Sequence, residues 1–289
     1  MTTSPSRPRL SKRYAIAIAA AITALAVGIS APHLAGASTR NLSATDRVKA
    51  HPPPPLFSDT QIGTIARPIA AQKASATAAM AAWWRTHGTT PDDKAFTAWV
   101  QTQVPAPPPA ATRRAELREV KNLDLQRTPT GIAAATWLEL NGKKDVWKLY
   151  QHDQRELLSA KTGNADKADL KVILSLAKTA ADALGTKYQQ SAPYVLDPSL
   201  RPDHAVKQGQ ICPCSYPSRH AARAAGARTY LGYLSPHRLT DYQWMEDQVT
   251  FSRLYMAGHV QSDITAGSML GDMIGQYVLV SRGHMPAPS

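Results

Sequence analysis

Apolar residues recur at helical spacing in the longest patterned segments of this chain. Between Ala165 and about Gln189 they fall at Leu170, Ile173, Leu174, Leu176 and Ala177, which places them on one face of a helix. No segment sustains the alternation of apolar and polar positions that is typical of a strand. The pattern predicts an all-α fold, a bundle of packed helices.

Capping signals mark where these helices begin and end. Gly88 stops a helix that begins at Ser75, and Thr128-Pro129 opens a helix that Asn141-Gly142 closes, since proline suits the first turn and glycine the end. Further helices are predicted from Thr90-Pro91-Asp92-Asp93 to about Val104, over 145–160 and 165–189, from Ser218 to about Leu234, and from Thr240 to about Val280 with a break at Gly258.

The first 37 residues have the pattern of a secretory signal peptide. Residues 1–13 contain four basic residues and no acid, an apolar run follows from Tyr14 to about Ile29, and small residues come next at Ala35-Gly36-Ala37. We expect cleavage after Ala37. A retained anchor is the alternative, because the run up to Leu34 is just long enough to span a bilayer. In both cases the remaining chain is expected outside the cytoplasm, secreted or in the cell envelope.

Two proline clusters divide the chain that follows. Residues 38–74 are predicted to form an extended N-terminal arm, since Pro52 to Pro55 favour an extended spacer. Residues 75–109 are interpreted as a small helical segment that ends in a linker at Pro105 to Pro109. The main helical domain is predicted over residues 110–289.

Composition and charge exclude several classes of protein. With 43% hydrophobic and 19% charged residues, the chain is neither a disordered polyelectrolyte nor a polytopic membrane protein. The net charge of +12 becomes +8 once the signal peptide is removed, which favours anionic partners. No run of five basic residues occurs, so a nucleic-acid partner is not expected.

Two polar segments carry the candidate chemistry, and the first of them opens a helix. Ser218 precedes an Ala-rich run in the segment Tyr216-Pro217-Ser218-Arg219-His220. The free amides and the dipole of a helix start favour an anion such as phosphate. A protonated His220 in the first turn can supply a proton to the oxygen of a leaving group.

The second segment is Ser252-Arg253, followed by His259 and Asp263. On one unbroken helix Ser252, His259 and Asp263 would lie within about 40° of each other, and the His259–Asp263 spacing survives a break at Gly258. A carboxylate beside a histidine fixes its tautomer and raises its basicity. Taken singly, these residues also fit structural roles: an exposed helix histidine, a core histidine and a helix cap.

Together the two segments resemble the phosphatidic acid phosphatase type 2 and vanadium haloperoxidase superfamily. Its motifs are K-x6-R-P, P-S-G-H and S-R-x5-H-x3-D. The third is present without a mismatch from Ser252 to Asp263, and the second appears as Pro217-Ser218-Arg219-His220, with arginine in place of glycine. The resemblance covers roughly residues 110–285, and the helix opened by Arg127-Thr128-Pro129 is similar to that of soluble, secreted members.

The first motif is incomplete. Lys187 resembles its lysine, but Ala192-Pro193 replaces the expected Arg-Pro pair, and Arg201-Pro202 lies further along the chain. Either Arg201 reaches the site from its loop, or one cation has been lost. Arg219 has two interpretations as well: it crowds the pocket, or its guanidinium replaces the missing arginine.

The resemblance implies a metal-independent phosphatase that acts on a small-molecule phosphate ester. His259 would attack phosphorus, Asp263 would hold its ring, and His220 would protonate the leaving alcohol. The residues implied to bind phosphate are Lys187, Arg253, Ser218, Arg219 and Arg201. One alternative is a haloperoxidase that holds vanadate on His259, and a second is a binding protein of the same fold with weakened catalysis.

Cys212 and Cys214 flank Pro213 just before the second motif. Exported cysteines tend to be oxidised, although a bridge across one residue closes a strained ring. A metal site would need more ligands, and His204 is the only one near. We therefore expect a disulfide that stiffens this loop.

Overall fold

The computed structural model describes residues 42–155, 157–201 and 215–287. The predicted signal peptide and the cysteine pair lie outside the described residues. Within them the chain forms α-helices, two short 3-10 helices at Pro198–Leu200 and Pro236–Arg238, and no strand, which confirms the all-α prediction. The helices are α1 (Ala44–Ala50), α2 (Asp59–His87), α3 (Asp93–Gln103), α4 (Ala110–Asp124), α5 (Pro129–Asn141), α6 (Asp145–Arg155), α7 (Ala160–Tyr188), α8 (Pro193–Leu196), α9 (Arg219–Leu234), α10 (Leu239–Tyr255) and α11 (Gln261–Ser281).

Helices α9 and α11 form the centre of the bundle, and small residues bring them close together. A Cβ atom on Gly271 would lie 2.8 Å from the Cβ of Ala225 and would overlap the carbonyl oxygen of Ala222. A Cβ atom on Gly275 would lie 2.8 Å from the carbonyl oxygen of Gly226. The two backbones therefore touch directly, and α2, α7 and α10 pack around this pair.

The prediction of an extended arm over residues 38–74 is wrong for residues 44–50, which form α1, and for residues 59–74, which belong to α2. The helix begins at a capping box in which Ser58 and Gln61 bond each other's backbone. Ile62, Ile65 and Ile69 point into the core and are buried. Burial of this apolar face stabilises the helix although it contains Pro68.

Residues 75–109 are also part of the main core and not a separate segment. The Phe96 ring stacks on the ring of Tyr277 in α11, with 3.8 Å between their centroids. The Trp83 ring contacts the same tyrosine edge-on, with 6.3 Å between centroids. The Tyr277 hydroxyl also accepts a hydrogen bond from the backbone amide of Asp92. The proline-rich linker therefore connects α3, which belongs to the main hydrophobic core, to α4, whose buried Val120 packs in a smaller second cluster.

Several predicted helix boundaries are confirmed and others are displaced. Thr128 and Ser218 cap α5 and α9 as expected. Asp92, not Thr90, caps α3, and α7 begins at Ala160 after Ser159, earlier than predicted. The displaced boundaries have a common cause, because a side-chain oxygen that reaches a free amide sets the helix start.

The break predicted at Gly258 is present, and α10 and α11 are separate helices. The chain turns at Ala257, which has a φ of 53°. None of the helices that the structure describes is long and apolar enough to cross a membrane.

Candidate active site

The two predicted segments meet at one end of the α9–α11 pair. The amide of Ser218 donates to the carbonyl oxygen of Asp263 at 2.8 Å. The Ser218 hydroxyl caps α9 by accepting from the amide of Ala221 at 3.3 Å. Since its amide is engaged within the protein, the hydroxyl proton is the group that Ser218 can offer to a ligand.

His259 lies in the loop between α10 and α11, and its ring has a defined tautomer. Its Nδ1 lies 2.8 Å from the carbonyl oxygen of Ser215, and a carbonyl can only accept, so Nδ1 carries the proton. The neutral ring therefore has its lone pair on Nε2. Ser215 is itself held in place, because its amide donates to the carbonyl oxygen of Gln190 at 2.6 Å.

Asp263 is a fully buried carboxylate behind His259. Its Oδ2 lies 3.6 Å from His259 Nδ1 and accepts from the amide of Val260 at 3.0 Å. Its Oδ1 accepts from Arg113 of α4 at 2.7 Å. Burial alone would raise the pKa of Asp263, but His259 and Arg113 together hold it below its ordinary value. The carboxylate is thus kept ionised beside the imidazole.

Two buried arginines lie on the other flank of the site. Arg253 from the last turn of α10 and Arg201 from the loop after α8 have side chains only 4% and 8% exposed. Both face the carboxylate of Glu139 on α5, at 3.6 Å from Arg253 Nη1 and 3.3 Å from Arg201 Nη2. The structure therefore brings Arg201 to Arg253, the first of the two alternatives left open by the incomplete motif.

Arg253 has donors that the described protein does not satisfy. Its Nε and Nη1 are buried, and neither donates a hydrogen bond to any of the described residues. Burial lowers the pKa of Arg253. The negative charge of Glu139 raises this pKa, and the positive charge of Arg201 lowers it further. Buried donors of this kind require an acceptor, and the oxygens of an anion fit a guanidinium well.

His220 lies within electrostatic reach of this group of cations. Its Nε2 lies 3.2 Å from the carbonyl oxygen of Glu139 and donates to it. Burial lowers the pKa of His220 well below its ordinary value, and electrostatic interactions with Arg253 and His259 lower it further. Lys143, between α5 and α6, acts on His220 in the same direction. The structure thus brings His220 and His259 to one positively charged site.

Two predicted phosphate ligands are placed differently from the prediction. The Lys187 side chain is exposed, and its ammonium lies 5.0 Å from the centre of the Tyr188 ring. Arg219 is about 42% exposed and pairs with Asp182 of α7 at 3.1 Å. Asp182 therefore supplies the countercharge of Arg219, and the replacement of the missing arginine by Arg219 stays a prediction.

Ser252 does not share a face with His259. It is buried, and its hydroxyl donates to the carbonyl oxygen of Val249 at 2.6 Å within α10. The helix ends before His259, so the angle expected on an unbroken helix does not apply.

Sequence reasoning missed four residues of the site. Arg113 and Ser215 hold the Asp263–His259 pair, and Glu139 and Lys143 lie beside the cations. Only tertiary packing brings them there, and no local spacing marks them. Arg113 also lines a groove of about 460 Å³ with Pro107, Leu117, Pro193 and Val260.

No protein-family model matches the chain, and no curated protein matches it.

Proposed function

We propose that this protein is a secreted, metal-independent phosphatase that hydrolyses small phosphate monoesters through a phosphohistidine intermediate. The observation that carries the proposal is the tautomer of His259: Nδ1 donates to Ser215, so Nε2 is free as a nucleophile. The third motif of the phosphatase and haloperoxidase superfamily, which this chain resembles, ends in the same His259 and Asp263 pair.

The proposed first step transfers the phosphoryl group to the protein. The Nε2 lone pair of His259 forms a bond to phosphorus while the bond to the ester oxygen breaks. Arg253 and Arg201 stabilise the charge on the phosphoryl oxygens, since fixed donors in a water-poor site are effective there. Asp263 stabilises the cationic phosphoimidazole.

His220 completes the cycle as acid and then base. It gives a proton to the departing alcohol oxygen, takes one from the water that attacks phosphohistidine, and leaves His259 and inorganic phosphate. For this role the Nε2–H of His220 must leave its present acceptor, the carbonyl oxygen of Glu139, and donate to an oxygen of the ligand instead. Burial and, after it, nearby cations lower the pKa of His220. A bound dianion offsets the effect of the cations, so substrate binding promotes the protonation that the step needs.

The test measures hydrolysis of an aryl phosphate by the mature chain in the presence of a chelator, for the wild type, His259→Ala and His237→Ala. His237 is an exposed histidine in the 3-10 helix that follows α9 and serves as the matched control. The proposal expects hydrolysis by the wild type and the control, and loss by at least about 10³-fold in His259→Ala.

A parallel assay with peroxide, bromide and vanadate tests the rival activity. Bromination that requires vanadate, without phosphate release, would assign the site to a haloperoxidase. A folded wild-type protein that is inactive in both assays would support the non-catalytic binding protein.

A further inference from the structure

Glu139 has an unusual position for a site that is built to receive an anion. Its Oε2 lies 3.3 Å from Arg201 Nη2 and 3.6 Å from Arg253 Nη1. Its backbone carbonyl accepts the Nε2–H of His220 at 3.2 Å. One residue in the last turn of α5 therefore contacts three of the groups that the proposed chemistry requires for phosphate.

A carboxylate and a phosphoryl group compete for the same donors. Each presents negatively charged oxygens that a guanidinium binds in the same way. Arg201 and Arg253 are almost fully buried and need a countercharge. Among the residues that the structure describes, Glu139 supplies it, and its side chain is 29% exposed, so it can turn to solvent without movement of the arginines.

The neighbouring charges favour this exchange. Three cationic groups, Arg201, Arg253 and Lys143, lie near Glu139. The negative charge of Glu139 interacts favourably with each of them, whereas Arg253 is repelled by the other two. A dianion brings more negative charge to these cations than the single carboxylate that it displaces.

We propose that Glu139 is an internal competitor for the oxyanion site, which a bound phosphate must displace from Arg201 and Arg253. This inference rests on the proposed function for the identity of the anion. It assigns Glu139 a role in setting affinity, and no role in bond making. The binding reaction is then an exchange of one negative group for another, and removal of the competitor strengthens binding.

The experiment measures binding of inorganic phosphate to the wild type, Glu139→Gln and Glu119→Gln by titration calorimetry. Glu119 is an exposed residue of α4, so its substitution changes the net charge equally without touching the site. We expect phosphate to bind Glu139→Gln about fivefold more tightly, the order expected for one partly exposed ion pair, and Glu119→Gln as the wild type. Weaker or unchanged binding by Glu139→Gln would overturn the proposal.

Thermal unfolding supplies a second readout. Without phosphate, Glu139→Gln should melt below the wild type, because two buried guanidinium groups lose their countercharge. Saturating phosphate should close this gap. A gap that persists would show that Glu139 only supports the fold and would overturn the competitor role.

Glu139→Asp keeps the inference testable where the glutamine variant does not fold. The shorter side chain retains the charge but cannot reach both arginines equally, so phosphate should again bind more tightly than in the wild type, and equal or weaker binding contradicts the role. Failure of the proposed function is distinguishable: the protein then releases no phosphate from esters while the affinity difference remains. Absence of phosphate binding in every variant would overturn both proposals.

Discussion

Gly267 links the packing of the bundle to the geometry of the site, and Gly267→Ala tests that link. A Cβ atom at this position would overlap the carbonyl oxygen of Ser218 and lie 3.0 Å from the Cβ of Ala221. Ser218 also donates its amide to the carbonyl oxygen of Asp263 at 2.8 Å. The added methyl group must therefore move the start of α9 away from α11.

The expected cost combines three contributions. Alanine is the better helix former by about 1 kcal/mol, which favours the variant. Overpacking of a tight core costs about 1–3 kcal/mol, and loss of the Ser218–Asp263 hydrogen bond costs about 1 kcal/mol. We expect a net loss of about 2 kcal/mol in the free energy of unfolding, which lowers the melting temperature by roughly 4–8 °C in a protein of this size.

Urea and thermal unfolding measure the stability, and hydrolysis of an aryl phosphate measures the site. The kcat/KM of Gly267→Ala should fall by at least about tenfold, since displacement of His220 relative to His259 misaligns the reacting groups. Gly63→Ala is the control, because nothing lies within 4 Å of its added Cβ atom, and it should be as stable as the wild type or more so. Wild-type stability and activity in Gly267→Ala would refute the reasoning.

Three further predictions concern buried charge. Arg113→Gln removes the partner of the buried Asp263 carboxylate, so the free energy of unfolding should fall by about 3 kcal/mol in urea; activity should fall most at acid pH because the pKa of Asp263 rises, and an unchanged pH profile would contradict this. Burial raises the pKa of Asp247 to about 7, so the folded state holds a proton that the unfolded state releases, and stability should decline as the pH rises from about 4 to 7. Asp247→Asn should flatten this decline in urea unfolding across that range, and an equally steep decline would count against it. When phosphate binds near pH 6, the wild type should take up more protons, or release fewer, than His220→Asn, because the ionisation of phosphate itself contributes equally in both and the difference comes from His220; calorimetry in buffers of different ionisation enthalpy measures this difference, and equal proton counts would disprove the assignment.

Local signals in the sequence predicted much of the helical fold. Thr128 and Ser218 cap their helices through hydrogen bonds to amides three residues ahead, and such short-range bonds can be predicted from spacing. The start of α2 was missed because Pro52 to Pro55 and Pro68 favoured an extended interpretation. The apolar positions Ile62, Ile65 and Ile69 were present as the competing helical signal, and tertiary burial decided between the two.

The site divides in the same way between local and long-range features. His259 and Asp263 are four residues apart, so their pairing survives the break between α10 and α11. Arg201 reaches the site because Arg127 bonds the carbonyl oxygen of Leu200 and the Arg201 guanidinium lies 5.2 Å from the centre of the Tyr194 ring. Neither contact follows from spacing along the chain.

Glu139, Lys143 and Arg113 come from helices or loops more than 100 residues before His259. The approach of these residues depends on how α4 packs against α10 and α11 and how α5 packs against α10, which no local pattern specifies. The resemblance to a family motif indicated the proposed nucleophile and its carboxylate, and the surrounding charges required the folded structure.

The covalent step at His259 is the central claim, and peptide mapping of a trapped phosphoenzyme tests it most directly. The protein is mixed rapidly with an aryl phosphate, quenched in base to preserve phosphohistidine, digested and analysed by mass spectrometry. The account predicts one acid-labile phosphoryl group on His259, absent from His259→Ala. Turnover with the phosphoryl group on another residue, or undiminished turnover by His259→Ala, would contradict it.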